Sequence, residues 1–153
     1  MENPLWTLIR ERGESIFSVC SANETVLRAA LRQGLNHDLP LLVEATANQV
    51  NQFGGYTGMT PADFASSIRD LARQEGFPGN RLILGGDHLG PLVWQAEAPE
   101  SAMEKAEGLI EAFVLAGYSK IHIDTSMRLG DDDKSLPLHV RTVAERSARL
   151  ART

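Results

Sequence analysis

The chain has 153 residues, 42% of them hydrophobic, and a net charge of −5, which is enough for one domain with a sizeable core. The negative charge and the scattered Lys and Arg residues argue against nucleic acid and acidic membrane surfaces as partners. No apolar stretch has the length of a signal sequence or a membrane span, so we expect a cytoplasmic protein. The single cysteine, Cys20, excludes an internal disulfide and is expected to be a buried thiol.

Strand and helix patterns alternate along the chain after a leading helix predicted over residues 5–12. Short apolar runs predict four strands, over residues 16–20, 41–44, 81–87 and 120–124. Helical periodicity follows each of them. Asn23 and Thr60 are suitable caps for the first two of these helices, and Gly34, Gly76 and Gly117 are expected to end the first three. The last helix is predicted to turn Val140 inward.

Repeated strand–helix units indicate a parallel sheet, which leaves a doubly wound sheet and a barrel as alternatives. The fourth strand places Ile121 and Ile123 on one side and Lys120, His122 and Asp124 on the other. One apolar face and one face that becomes polar toward the carboxyl end favour a barrel. Both faces of a doubly wound sheet would be apolar.

A (β/α)8 TIM barrel needs eight units and about 250 residues, whereas four units are predicted here. We therefore predict an α/β half-barrel: residues 1–153 form the amino-terminal half of a single TIM-barrel domain. Left alone, the outer strands would expose unpaired edges. The rest of a longer chain, or a second copy in a homo-oligomer, would cover those edges.

The second strand ends at Glu44 and leads into a polar loop. This loop contains four side-chain amides, at Asn48, Gln49, Asn51 and Gln52. Amides offer donors and acceptors without charge, which suits a ligand rich in hydroxyls and carbonyls. The alternative is a loop whose amides bind its own backbone. We predict that Glu44, Asn48, Gln49 and Gln52 bind substrate.

Asp87 and His88 lie at the end of the third strand, between glycines that would let a ligand approach the backbone. An imidazole can bind Zn²⁺ and a neighbouring carboxylate can move a proton. A salt-bridged turn is the other interpretation.

On the fourth strand, His122 and Asp124 share the polar face, and Ser126 follows them. His122 and Asp124 are candidates for a ligand, a base or a hydrogen-bonding pair. Ser126 is a candidate donor to a phosphate or a sugar hydroxyl. An interior histidine held by a carboxylate is the alternative for His122.

Several motifs of the chain are distinctive: the stretch from Glu44 to Phe64, Leu84-Gly-Gly-Asp-His-Leu-Gly-Pro91 with Trp94-Gln95 after it, Ala102-Met-Glu-Lys105, and Ser119-Lys-Ile-His-Ile-Asp124. They closely resemble motifs of the accessory, Z-type subunit family of D-tagatose-1,6-bisphosphate aldolase. The resemblance runs from about residue 18 to residue 145. It implies a TIM barrel that stabilises and activates a class II aldolase catalytic subunit in galactitol and N-acetylgalactosamine catabolism.

The resemblance extends to the zinc-dependent class II aldolases. It implies that Asp87 is the acid or base and that His88 is a zinc ligand, with the remaining zinc histidines on later strands; Asp124 is a second catalytic candidate. The ligand implied is a sugar phosphate. The alternative function is an independent divalent-metal-dependent aldolase or epimerase.

Overall fold

The computed structural model describes residues 10, 13 and 15–153, and its centre is a four-stranded parallel sheet in the order β1-β2-β3-β4. The strands are β1 (Ser18–Cys20), β2 (Leu41–Thr46), β3 (Leu82–Leu89) and β4 (Lys120–Ile123). Each unit adds its strand beside the previous one, as the alternating sequence pattern predicts. The helix predicted over residues 5–12 lies outside the described residues, apart from Arg10.

In the part of the chain that the structure describes, four α-helices accompany the sheet, and two short 3₁₀ turns, Gly79–Arg81 and Pro91–Trp94, flank β3. The helices are α1 (Glu24–Asn36), α2 (Pro61–Gln74), α3 (Pro99–Leu115) and α4 (Val140–Leu150). Among the described residues, no helix has both the length and the apolar character needed to cross a membrane.

The predicted helix starts are confirmed by side-chain caps. Asn23 Oδ1 accepts hydrogen bonds from the backbone N–H groups of Thr25 and Val26 at 3.0 and 3.2 Å. At α2, Thr60 and Asp63 form a reciprocal capping box, in which each side chain accepts a hydrogen bond from the other residue's backbone N–H. These bonds satisfy amide groups that the first helical turn leaves without partners.

Two helix predictions are wrong. Gly34 does not close α1, which continues to Asn36; a Cβ on Gly34 would lie 2.9 Å from the Phe77 ring, so glycine is required there for packing. Val140 does not face inward, because the first turn of α4 projects into solvent and leaves this side chain 80% exposed. At the other end of the same helix, Leu150 is buried.

The side of the sheet that faces the helices carries the main core. Alternate residues of β2 and β3 meet large side chains of the helices there: Leu41, Val43, Ala45 and Leu84 from the strands, and Leu27, Leu31, Phe64, Ile68, Leu109 and Phe113 from the helices. The opposite face pairs Leu42 with Ile83 and, one step further along, Glu44 with Gly85. This face therefore changes from apolar to polar toward the carboxyl ends of the strands, as predicted.

We predict that Thr60→Ala lowers the free energy of unfolding by about 1 kcal/mol, because it removes the cap of α2. Thr25→Ala is the matched control, since Thr25 is exposed in the first turn of α1 and its side chain makes no hydrogen bond among the described residues. The control should stay within about 0.5 kcal/mol of the parent. Urea-induced unfolding measures both, and equal losses in the two variants would contradict the capping role.

Candidate functional site

A β-bulge at the end of β3 shapes the candidate site. Gly86 pairs with Ile121 and Leu89 pairs with Ile123, so β3 has one more residue than β4 between these pairs. The extra length contains Asp87 and His88. His88 has a φ of 49°, in the left-handed region that residues other than glycine rarely adopt. The glycines around Asp87 suggest that the strand stops there. The structure shows instead that it continues through the bulge to Leu89.

The bulge brings Asp87 and His88 together with His122 of β4. Asp87 Oδ1 lies 3.0 Å from His88 Nδ1 and 3.2 Å from His122 Nδ1. The two imidazole rings have centroids 4.3 Å apart. One potential ligand atom from each of the three residues lies within 4.8 Å of the others, and both histidines are exposed. A carboxylate and two imidazoles form a donor set that suits Zn²⁺.

Two carboxylates at this site, Asp87 of the cluster and nearby Asp124, are held in their ionised form. Burial of Asp87 opposes ionisation, but the His122 hydrogen bond and the His88 charge outweigh burial and lower its pKa. Asp124 shows the same balance, in which burial is outweighed by hydrogen bonds from Ser126 and by the charges of both histidines, and its pKa is also lowered. The backbone N–H of Ser126 donates to Asp124 Oδ1 at 2.9 Å. Both carboxylates are therefore ionised at neutral pH and available as metal ligands or hydrogen-bond acceptors, although the lowered pKa makes each a weaker base.

Beneath the cluster, on the same face of the sheet, Lys120 is paired with Glu44. Lys120 Nζ donates to Glu44 Oε1, and the Glu44 side chain is only 4% exposed. A Cβ on Gly85 would lie 2.8 Å from that oxygen, so the glycine leaves room for the carboxylate. Lys120 was not among the predicted site residues, although its alternation with His122 places it on their shared face.

The amides of the β2–α2 loop divide into structural and available groups. Asn51 is fully used within the loop: its Nδ2 donates to the Ala47 carbonyl at 2.9 Å, and its Oδ1 accepts from the N–H groups of Phe53 and Gly55. Gln49 is 9% exposed, and its Oε1 accepts from the Thr46 N–H at 2.8 Å. Its Nε2 has no hydrogen-bond partner among the described residues.

The other two amides lie away from the cluster. Gln52 Nε2 donates to the Lys105 carbonyl of α3 at 2.8 Å, so this amide is directed to a helix. The Asn48 side chain is exposed, and its backbone carbonyl accepts from the Tyr56 N–H at 2.9 Å. The structure therefore joins Asp87, His88 and His122 directly but does not join these two amides to them. Their substrate-binding role stays a prediction.

The prediction that Cys20 is a buried thiol is wrong, because the residue is exposed on the polar face of β1. Strand β1 lies at the edge of the described sheet, so no strand beyond it shields the thiol. Cys20 Sγ donates a weak hydrogen bond to Gln49 Oε1 at 3.7 Å. Neighbouring residues cover part of this thiol, and that partial burial together with the Asp87 charge raises its pKa to about 11. The thiol therefore remains protonated at neutral pH.

Comparisons with known proteins agree with one another. Residues 7–153 match the family described as D-tagatose-1,6-bisphosphate aldolase subunit GatZ/KbaZ-like. The chain is 58% identical to the D-tagatose-1,6-bisphosphate aldolase subunit GatZ of Klebsiella pneumoniae subsp. pneumoniae and 56% identical to that of Salmonella gallinarum. Each alignment covers 88% of this chain and 31% of the relative, so the chain spans about a third of the length of these relatives.

A solved structure is also similar to this chain. It is that of a probable tagatose 6 phosphate kinase from Sinorhizobium meliloti 1021, with a TM-score of 0.83 and 46% sequence identity. The similarity covers 88% of this chain and 34% of that one.

We predict that His88→Gly is more stable than His88→Ala by about 1 kcal/mol. Both variants lose the imidazole, but only glycine adopts a positive φ without a steric penalty. Urea-induced unfolding of the two proteins measures the difference. Equal free energies of unfolding would mean that the backbone at residue 88 is not strained.

Proposed function

Because the chain belongs to the D-tagatose-1,6-bisphosphate aldolase subunit GatZ/KbaZ-like family, we propose that the full-length protein is an accessory subunit of a class II D-tagatose-1,6-bisphosphate aldolase. In this role it stabilises and activates a separate catalytic subunit in galactitol or N-acetylgalactosamine catabolism, and by itself it has no turnover. The family match over residues 7–153 is the observation that carries the proposal.

We further propose that this chain supplies the amino-terminal half of a TIM barrel within a single domain. In the described part of the chain, β1 and β4 each pair on one side only. The polar face of the sheet also has Cys20 and His122 exposed. Further strands, from the longer chain or from a second copy, would pair the edges and enclose this face. The carboxyl ends of the strands, where barrel enzymes bind ligands, are the ends that carry Asp87 and His122.

A second candidate function is favoured by the metal-like cluster. Asp87, His88 and His122 fit a divalent metal because all three offer a ligand atom within 4.8 Å of the others. When bound there, Zn²⁺ would polarise a carbonyl oxygen of a sugar phosphate. The protein would then be an independent metal-dependent aldolase or epimerase. In that enzyme Asp87 would accept the proton from the substrate carbon if the two histidines alone held the metal, and Asp124 would do so if Asp87 were itself a ligand.

The remaining polar residues would bind the sugar phosphate in either function. The residues proposed for this role are Glu44, Asn48, Gln49, Gln52, His122 and Ser126. When a metal ion is present, His122 would bind the ion instead of the sugar phosphate. His122 and Ser126 have exposed side chains at the carboxyl end of β4. Glu44 is buried below them and is linked to the site by its ion pair with Lys120.

We predict that the full-length protein co-purifies with a class II aldolase catalytic subunit and lengthens the half-life of its aldolase activity. Asp87→Asn is the diagnostic variant, since it keeps the shape of the side chain and removes the charge. An accessory subunit keeps its stabilising effect in this variant. Loss of co-purification and an unchanged half-life with the parent protein would contradict the accessory function. Turnover by the parent alone that Asp87→Asn abolishes would support the enzyme instead.

We predict that the full-length protein binds one Zn²⁺ and that His88→Ala and His122→Ala each weaken binding by at least about tenfold. Competition with a chromogenic chelator measures this affinity. His37→Ala is the control, because His37 is an exposed residue at the end of α1 and should leave affinity unchanged. Zinc binding that neither site variant weakens would exclude this cluster as the metal site.

A further inference from the structure

A cavity of about 480 Å³ lies beside the Asp87 cluster, between the β1–α1 loop and the β2–α2 loop. Its polar lining comes from Cys20, Ser21, Asn23, Gln49, Tyr56 and Thr57, and Ala22 and Met59 complete it. We call this the side pocket. No charged side chain of the described residues is part of this lining.

The Gln49 amide is held in one orientation at the wall of the side pocket. Its Oε1 accepts from the Thr46 N–H at 2.8 Å, and because a backbone N–H can only donate, the oxygen and nitrogen of this amide cannot be exchanged. The backbone around it is also fixed, since the Gln49 carbonyl accepts from the Thr57 hydroxyl at 2.7 Å.

The free end of the Gln49 amide is therefore a prearranged donor. Nε2 has no hydrogen-bond partner among the described residues, although most of the residue is buried. The nitrogen can therefore donate to water or to a ligand without any rearrangement of the amide. Asn51, two residues further on, uses both ends of its amide within the loop. The loop thus holds itself together with one amide and leaves the other for a ligand.

Other groups of the side pocket can hydrogen-bond the same ligand. The Tyr56 side chain is 72% exposed, and its hydroxyl makes no hydrogen bond among the described residues. The Asn23 amide oxygen caps α1, which leaves its Nδ2 available. Amide and hydroxyl groups without a cation favour uncharged oxygens such as those of sugar hydroxyls, whereas a phosphate is usually bound by Arg or Lys.

The side pocket is connected to the Asp87 cluster through Cys20. This thiol lines the pocket and lies 3.7 Å from Gln49 Oε1, and it shares the polar face of the sheet with Asp87. We propose that the side pocket binds the uncharged, hydroxyl-bearing part of a sugar, with Gln49 Nε2 as the central donor. The remainder of that sugar would reach the Asp87 cluster. The sugar class rests on the proposed function, whereas the pocket and its donor do not.

The test is binding of D-tagatose, an uncharged ketohexose, to the full-length protein, measured by titration with saturation-transfer NMR. Gln49→Met should weaken binding by about three- to tenfold, the loss expected for one or two hydrogen bonds. Gln33→Met is the control, since it makes the same change at an exposed glutamine of α1 whose side chain makes no hydrogen bond among the described residues. The control should leave affinity within about twofold of the parent. Equal losses in the two variants, or no binding by the parent protein, would overturn the proposal.

Two further measurements keep the result unambiguous. Tyr56→Phe removes only an exposed hydroxyl and should weaken D-tagatose binding about twofold while the fold is retained, even if Gln49→Met unfolds; unchanged affinity in Tyr56→Phe would then overturn the proposal. Inorganic phosphate should not displace D-tagatose, and displacement would contradict an uncharged subsite. Stabilisation of the aldolase partner is measured separately. Gln49-dependent sugar binding without partner stabilisation would support the side pocket and refute the accessory function.

Discussion

The candidate site depends on the β-bulge at Asp87 and His88. In a regular strand, neighbouring side chains point to opposite faces, so His88 would face the helices when Asp87 faced the polar side. The extra residue and the positive φ of His88 bring both side chains beside His122. Such a backbone costs about 1–3 kcal/mol and persists only where its surroundings enforce it. Close packing enforces it here. A Cβ on Gly90 would lie 1.8 Å from the Asp124 carbonyl oxygen, so the chain after β4 can approach the bulge only because residue 90 has no side chain.

The ion pair between Glu44 and Lys120, below the bulge, indicates that the polar face of the sheet does more than stabilise the fold. Glu44 is almost fully buried and would be costly as an isolated charge, so Lys120 is needed to balance it. An apolar pair would usually stabilise this layer as well or better. Leu42 and Ile83 form such a pair one step earlier along the same strands, where both are buried. Apolar residues therefore fill the lower layer of this face, and charge begins only where the strands approach the candidate site.

The sequence was sufficient for those features that depend on local chemistry. Strand and helix order followed from periodicity, the Thr60 cap from its neighbours, and the two faces of β4 from alternation. The errors occurred where distant contacts decide. Gly34 resembles a helix stop but is small because Phe77 packs on it. Cys20 resembles a core residue but lies on an edge strand. The bulge was not predictable either, because it arises from the mismatch in length between β3 and β4 rather than from either strand alone.

The loop after β2 shows why residue type alone could not separate scaffold from site. Four amides of similar chemistry lie within five positions, and each has a different environment. Asn48 is exposed, Gln49 is hydrogen-bonded through its oxygen, Asn51 is hydrogen-bonded at both ends, and Gln52 donates to a carbonyl of helix α3. What distinguishes Gln49 is that a single backbone N–H, that of Thr46 at the end of β2, fixes its oxygen, while its nitrogen has no partner among the described residues and the residue lines the side pocket. The same strand carries Glu44 two residues earlier, on the face that supports Lys120 and the histidine cluster above it. One strand end therefore positions both the charged and the uncharged parts of the site, which suits a ligand that has both kinds of group.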